Sequence, residues 1–299
     1  MDLSTTFKNI YDKHSKTILL IPLILALLAT FFIYSEYKQT NDFFNKDISL
    51  KGGISATIIT EKEIDINALE SDLSSIFKDA QVRKLSEFGS EKQIGIIIEI
   101  PETDENKFQS TLEEKLGIKL TEENFSIEVV GSSLGESFYQ QIFKAILFAF
   151  ILMAIVVLIA YRTIVPSLLV ITCAFMDIFV TVGILDLFNV RISTAGIGAL
   201  LLLIGYSIDT DMVLTTKVYR RKEGSIIDRF MDSFSTTMLM SLTSLIAVFI
   251  GLLLSTSSVL NEIFTVMTIG LIVDIIFTNL MNAPLIILYT KKKEKVNVN

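Results

Sequence analysis

A chain of 299 residues that is 51% hydrophobic, with a mean hydropathy of +0.57, is too apolar for an ordinary soluble protein; it suits a multi-spanning membrane protein with a soluble part. The net charge of -7 conceals an asymmetry, because residues 40–140 hold 20 acidic and 10 basic side chains while the rest hold 13 and 16. An acidic soluble part with basic residues gathered at helix ends argues against nucleic acid as a partner.

Residues 1–16 are polar, with Lys8, Lys13 and Lys16, and read as a cytoplasmic N-terminus. Residues 17–34 form an apolar run of about the length that crosses hydrocarbon. Ser35-Glu36-Tyr37-Lys38 follows it instead of a small-x-small cleavage site, so the run reads as a retained first transmembrane helix and not a signal peptide.

Residues 36–140 have soluble character. Ile54 to Thr60 reads as a strand. Ile66, Leu69, Leu73, Ile76, Phe77 and Ala80 follow helical spacing, with Asp65 as N-cap. Gln81 to Phe88 reads as a second strand, Gly89-Ser90-Glu91 as a turn, and Gln93 to Ile100 as a third strand stopped by Pro101. Phe108, Leu112 and Leu116 form one helical stripe, and Phe125, Ile127 and Val129 alternate as a last strand. The order β-α-β-β-α-β predicts an α+β ferredoxin-like domain. Many unrelated proteins share that order, so it carries little functional information.

Beyond it the chain is mostly membrane. Spans are expected at about 142–161, 165–187, 194–216, 234–254 and 263–289, with 290–299 as a C-terminal tail. The predicted fold is an α-helical polytopic membrane protein of six transmembrane helices, one before the soluble domain and five after it. Lys8, Lys13, Lys16, Arg162, Lys217, Arg220, Arg221, Lys222, Arg229, Lys291, Lys292, Lys293 and Lys295 all fall on one side of that layout. The alternate short loops hold only Arg191. The positive-inside rule then places both termini in the cytoplasm and residues 36–140 outside. In the absence of Trp, Tyr34, Tyr161, Tyr219 and Tyr289 are the candidate interfacial anchors.

Four acids lie within apolar runs: Asp177, Asp209, Asp211 and Asp274. A charge near the bilayer centre costs roughly 2.5–3.5 kcal/mol on insertion scales, so such residues usually face a protein interior or a wet cavity. Asp209 and Asp211 stand about 200° apart on a helix. Asp209 shares a face with Gly205 and is expected to face the bundle interior. Asp211 shares a face with the Ser207 and Thr215 hydroxyls. The functional reading is proton or cation binding and release; the plainer ones are hydrogen-bonded packing between helices, or solvation near the cytoplasmic interface. Ala195, Gly196, Gly198, Ala199 and Gly205 permit close helix approach in the fourth span, which suits either a mobile central helix or tight packing. Cys173 is read as a small packing residue, and with His14 the single histidine, no metal site is expected. No phosphate loop and no nucleophile–base arrangement can be read, so neither a cofactor nor catalytic residues are expected and the chain is not read as an enzyme.

Three motifs, in order along the chain, carry a family resemblance. Asp47-Ile48-Ser49-Leu50-Lys51-Gly52-Gly53-Ile54 is similar to the acid-plus-Gly-Gly stretch that opens the family's ectodomain. Val130-Gly131-Ser132-Ser133-Leu134-Gly135 is similar to the Val-Gly-Pro-Ser-x-Gly stretch before the second span, with Ser132 in place of Pro. Gly205-Tyr206-Ser207-Ile208-Asp209-Thr210-Asp211 is similar to the fourth-span signature. With the layout of spans, the chain resembles the SecF branch of the SecD/SecF protein-export family, in its archaeal form. The resemblance implies an accessory membrane subunit that acts with a SecD-like subunit and the SecYEG channel on a translocating polypeptide. It also implies kinship with resistance-nodulation-division transporters and, in bacterial members, proton-driven movement of the ectodomain. Met240-Ser241-Leu242-Thr243-Ser244-Leu245 matches the run that follows an Arg in the bacterial fifth span, but Thr236 stands at the Arg position. The resemblance therefore carries no Asp–Arg proton relay over to this chain. Half of a small-molecule or lipid transporter, and a structural assembly factor without ion coupling, are the alternative functions.

Overall fold

The computed structural model describes residues 11, 15–60, 62–77, 80–86, 93–101, 104–121, 123–255 and 257–298. His14, Lys8, Lys13 and the Gly89-Ser90-Glu91 turn lie outside them. The first long helix, α1 (Leu20–Thr40), follows a single turn at Ser15–Ile18 and ends where Asn41 takes φ 62° and bonds back to the Tyr37 carbonyl. A short helix α2 (Ile48–Lys51), N-capped by Asp47, leads into the sheet.

The sheet elements run β1 (Gly53–Ile59), α3 (Ile66–Ser74), β2 (Gln81–Ser86), β3 (Gln93–Ile100), α4 (Glu105–Leu116) and β4 (Phe125–Val130). All pairings are antiparallel, in the order β2-β3-β1-β4. Asp65 caps α3 by accepting from the Ala68 N–H, and Asp104 caps α4 by accepting from the Lys107 N–H. Leu69, Leu73, Phe77, Phe108, Leu112 and Leu116 bury against Ile54, Ala56, Ile58, Ile96, Ile98 and Ile100. Ile76 does not join them and is exposed, because α3 stops at Ser74 and the chain leaves helical phase. Successive strand side chains alternate faces, so Ser55, Thr57, Glu99, Ser126 and Glu128 lie on the face that the two helices leave open.

The helices α5 (Ser132–Tyr161), α6 (Ile164–Leu187), α7 (Thr194–Arg220), α8 (Ile226–Leu254) and α9 (Ser258–Phe277) follow. A π-turn (Thr278–Asn282) then joins α9 to α10 (Ala283–Val298). Among the described residues, six helical stretches are long and apolar enough to cross a membrane: Ser15–Lys38, Ser132–Tyr161, Ile164–Leu187, Thr194–Arg220, Ile226–Leu254 and Val259–Val296. The protein is thus mostly helical, with a small antiparallel sheet. Helix α5 begins well before residue 142, directly after β4, and α8 begins at Ile226 under a Ser225 cap, well before residue 234. Apolar runs report where lipid begins, whereas capping groups report where the helix begins.

Helices α6, α7 and the α9–α10 unit form the interior, each about half buried, while α1, α5 and α8 turn most of their surface outward. A Cβ on Gly183 of α6 would lie 2.6 Å from the Ala29 Cα, so α1 packs on α6 through a glycine–alanine contact. Tyr161 is buried and donates to the Met212 carbonyl at 2.9 Å, which corrects its expected place among the interfacial anchors.

Candidate functional site

Helix α7 sets the site. Its N-terminus is fixed by Ser193, whose hydroxyl accepts from the Ala195 and Gly196 N–H groups. Further along, Ser207, Thr210, Asp211 and Thr215 all turn inward and are buried. The Ser207 hydroxyl donates to Asp177 of α6. The Thr210 hydroxyl lies 3.2 and 3.3 Å from the two carboxylate oxygens of Asp274 on α9. Asp211 Oδ1 accepts from the Thr278 hydroxyl at 2.9 Å and from Asn282 Nδ2 at 2.8 Å. Thr278 is also 3.2 Å from Asp274, and Ser241 of α8 reaches the same carboxylate at 3.5 Å. Four helices and the π-turn therefore converge on Asp177, Asp211 and Asp274, none of which has any solvent exposure.

Asp177 Oδ1 is buried with no hydrogen-bond partner among the described residues. The Cys173 sulfur and one oxygen each from Asp177 and Asp211 lie within 4.8 Å of one another. The sequence had suggested only a packing role for Cys173. Like charges this close in a low-dielectric interior cannot all persist without compensation. The recorded partners of the three acids are hydroxyls, an amide and, for Asp211, the Cys173 thiol, none of which carries a positive charge.

Asp209 is not part of this cluster. It is exposed, as are Gly205 and Tyr206, and a Cβ on Gly205 would meet nothing within 4 Å. The expectation that Asp209 faces the bundle interior is therefore corrected in favour of Asp211, and the solvated reading of Asp211 falls with it. A small residue such as Gly205 does not mark helix contact here; the hydroxyl-bearing face is the packed one. Asp209 instead stands at a cleft of about 210 Å³ between α7 and α8, lined also by Tyr206, Thr243 and Ser244, that reaches Asp274. Of the small residues in α7, Gly196 and Ala199 are buried while Gly198 and Gly205 pack against nothing close. Thr236 accepts from Lys217 Nζ at 2.6 Å, so a half-buried lysine from α7 occupies the neighbourhood of that position.

The two glycine motifs meet each other. Gly52 (φ 82°) lies so close to α5 that a Cβ would be 2.4 Å from the Ser132 Cα. Gly53 (φ 138°) lies under the Ile100 carbonyl, and Gly135 faces Gly52. Gly131 is the N-cap of α5. These glycines join α2, the sheet and α5 where a side chain would not fit.

The family model described as "Protein export membrane protein SecD/SecF, C-terminal" matches residues 111–292. This chain belongs to the SecD/SecF protein-export family. Within it, the chain is 32% identical over 290 residues to the protein-export membrane protein SecF of Pyrococcus furiosus, covering 96% of this chain and 95% of that one. It is 33% identical over 283 residues to the SecF of Methanocaldococcus jannaschii, covering 93% and 96%. The crystal structure of SecDF, a translocon-associated membrane protein from Thermus thermophilus, has the same fold, with a TM-score of 0.77 at 21% identity. That match covers 97% of this chain and 40% of the SecDF chain.

Two groups escaped the sequence reading. Glu99 on β3 is buried and pairs with both Arg83 and Arg191. Glu262 on α9 accepts from the Ser193 N–H and hydroxyl, each at 2.7 Å. The signal available for the first was Arg191 itself, the lone basic residue in the alternate loops.

Proposed function

We propose that this chain is an accessory subunit of Sec protein translocation that works with a SecD-like subunit at the SecYEG channel to promote polypeptide export across the cytoplasmic membrane. The observation that carries this reading is the likeness to archaeal SecF proteins over nearly the full length of both chains. The SecDF match, which leaves the larger part of that chain uncovered, supports a separate SecD-like partner. The lysine and arginine distribution supports cytoplasmic termini, six spans in a one-plus-five layout and an outward sheet domain. The element order and strand order β2-β3-β1-β4 support a ferredoxin-like reading of that domain.

Ion coupling is the second part of the proposal. Asp177, Asp211 and Asp274 are the groups that take up and release a proton or small cation, with Ser207, Thr210, Thr278 and Asn282 as supporting donors. The unpartnered, fully buried Asp177 Oδ1 favours this over packing alone, since buried polar atoms in a purely structural cluster are normally paired. The test is affinity purification of the tagged chain from its own membranes, with secretion of a reporter in cells lacking it. Recovery without any SecD-like chain, together with undiminished secretion in the deletion strain, would refute the assignment.

A further inference from the structure

Beside the backbone contact of Gly52 with Gly135, the sheet meets the membrane helices through a second, charged contact. Glu99 projects from the open face of the sheet, is 3% exposed, and receives Arg83 from the neighbouring strand on one oxygen and Arg191 on the other. Arg191 belongs to the loop between α6 and α7, and its side chain is 9% exposed. Burial pushes the Glu99 carboxyl up, and Arg83 and Arg191 beside it pull it back. Cavities of about 480 and 280 Å³ lie on either side of this bridge, and Glu99 and Arg191 line both. The domain is therefore not bedded on a broad packed interface here.

The same loop is tied in at its next residues. The Asp47 N–H donates to the Ile192 carbonyl at 3.1 Å, the Ile192 N–H donates to the Asn45 carbonyl at 2.8 Å, and the Thr194 N–H donates to the Ser49 hydroxyl at 3.3 Å. Ser193 then caps α7 and is held by Glu262 of α9. Gly196 leaves the room this needs, since a Cβ there would lie 2.2 Å from Glu262 Oε1. The first turn of α7 is thus gripped from the sheet side and from α9. Those two helices carry Asp211 and Asp274.

We propose that Arg191, through its pair with Glu99, is a positioning residue that transmits the seating of the sheet domain to α7 and so to the packing around the buried carboxylate cluster. Removing Arg191 leaves the buried Glu99 carboxylate with Arg83 alone, and breaking one side of a buried charge contact is more disruptive than replacing all of its members. With the bridge cut, the sheet rocks into the flanking cavities and the first turn of α7 keeps only its ties to residues 45–49 and to Glu262. The lower part of the helix then opens more often. The inference rests on the functional reading only for its biological meaning, because its readout is local.

Cys173 supplies that readout, being fully buried beside Asp177 and Asp211. Its rate of reaction with a small permeant maleimide is measured in the full chain in native membranes. Arg191→Gln should raise that rate by about fivefold or more, the low end of typical coupling between sites. Arg191→Lys, which keeps the charge, should hold it near the starting value. Arg221→Gln, which breaks an exposed pair with Asp232, serves as the control and should change nothing. Seating is followed separately as disulfide yield between Ser49→Cys and Thr194→Cys in a Cys173→Ala background, which Arg191→Gln should lower. Glu99→Gln should reproduce both effects if the arginine variant accumulates poorly. Unchanged Cys173 reactivity in well-accumulated Arg191→Gln or Glu99→Gln chains would overturn the proposal, even with a lowered disulfide yield. Failure of the export reading would instead appear as intact secretion in the deletion strain and would leave these rates untouched.

Discussion

A Cβ placed on Gly135 would lie 2.7 Å from the backbone nitrogen of Gly52, although the two residues come from separate motifs. The start of α5 and the entry to the sheet are thus in backbone contact, and the contact admits no side chain.

Gly135→Ala should therefore lower thermal stability, in the range of about 1–3 kcal/mol typical of overpacked sites. Gly198→Ala, inside α7, is the control, since a Cβ there meets nothing within 4 Å. Thermal unfolding of both variants in detergent checks this, and equal melting temperatures would count against the close approach.

The carboxylate cluster predicts a division between neighbours. Asp211→Asn and Asp177→Asn keep size but remove titration. Each should assemble with the SecD-like partner yet reduce reporter secretion severely, by about tenfold or more if a charge-linked step is lost. Asp209→Asn, on an exposed position, should keep most of its secretion. The measurement is reporter export with co-purification as the assembly control. Normal export by an Asp177/Asp211 double Asn variant would remove ion coupling through this site.

Topology can be checked with single cysteines. Ser71 on the sheet domain and Glu223 in the α7–α8 loop are both exposed, while Cys173 is buried and silent to an impermeant reagent. Ser71→Cys should label from outside the cell and Glu223→Cys only from the cytoplasm. The reverse pattern would invert the assigned orientation.

Residues 40–133, excised, should fold alone. Their core of isoleucines, Leu73, Phe77, Phe108 and Leu112 is drawn entirely from this stretch, and the open face of the sheet carries Ser55, Thr57, Ser126 and Glu128, which tolerate water. A random-coil circular dichroism spectrum from this fragment would contradict that expectation.

The sheet elements were legible because each carries its own signal. Asp65 caps a helix whose Leu69 and Leu73 lie on one stripe, and Phe108, Leu112 and Leu116 recur at four-residue spacing. That two acids in α7 must point in different directions was also legible, from the helical turn alone. Which one points inward was not. Helix α7 carries small residues on one face and hydroxyls on another, either of which suits a packed face in a membrane, and Gly205 points to the wrong one. The Glu99–Arg191 pair was out of reach for another reason: its members are 92 residues apart and belong to different layers of the fold.

The π-turn Thr278–Asn282 holds one residue more than an α-helical path would need. One added residue turns everything beyond it by about 100°. Both ends of the turn, Thr278 and Asn282, bond Asp211, while the helix beyond it sets Glu294 on Arg229 and Lys293 on Tyr219. The angular setting of the C-terminal segment and the dressing of the central acid are therefore one variable. A chain that relaxed this turn to ordinary helix would have to slip by a whole residue, trading both donors and the tail's register in a single discrete step.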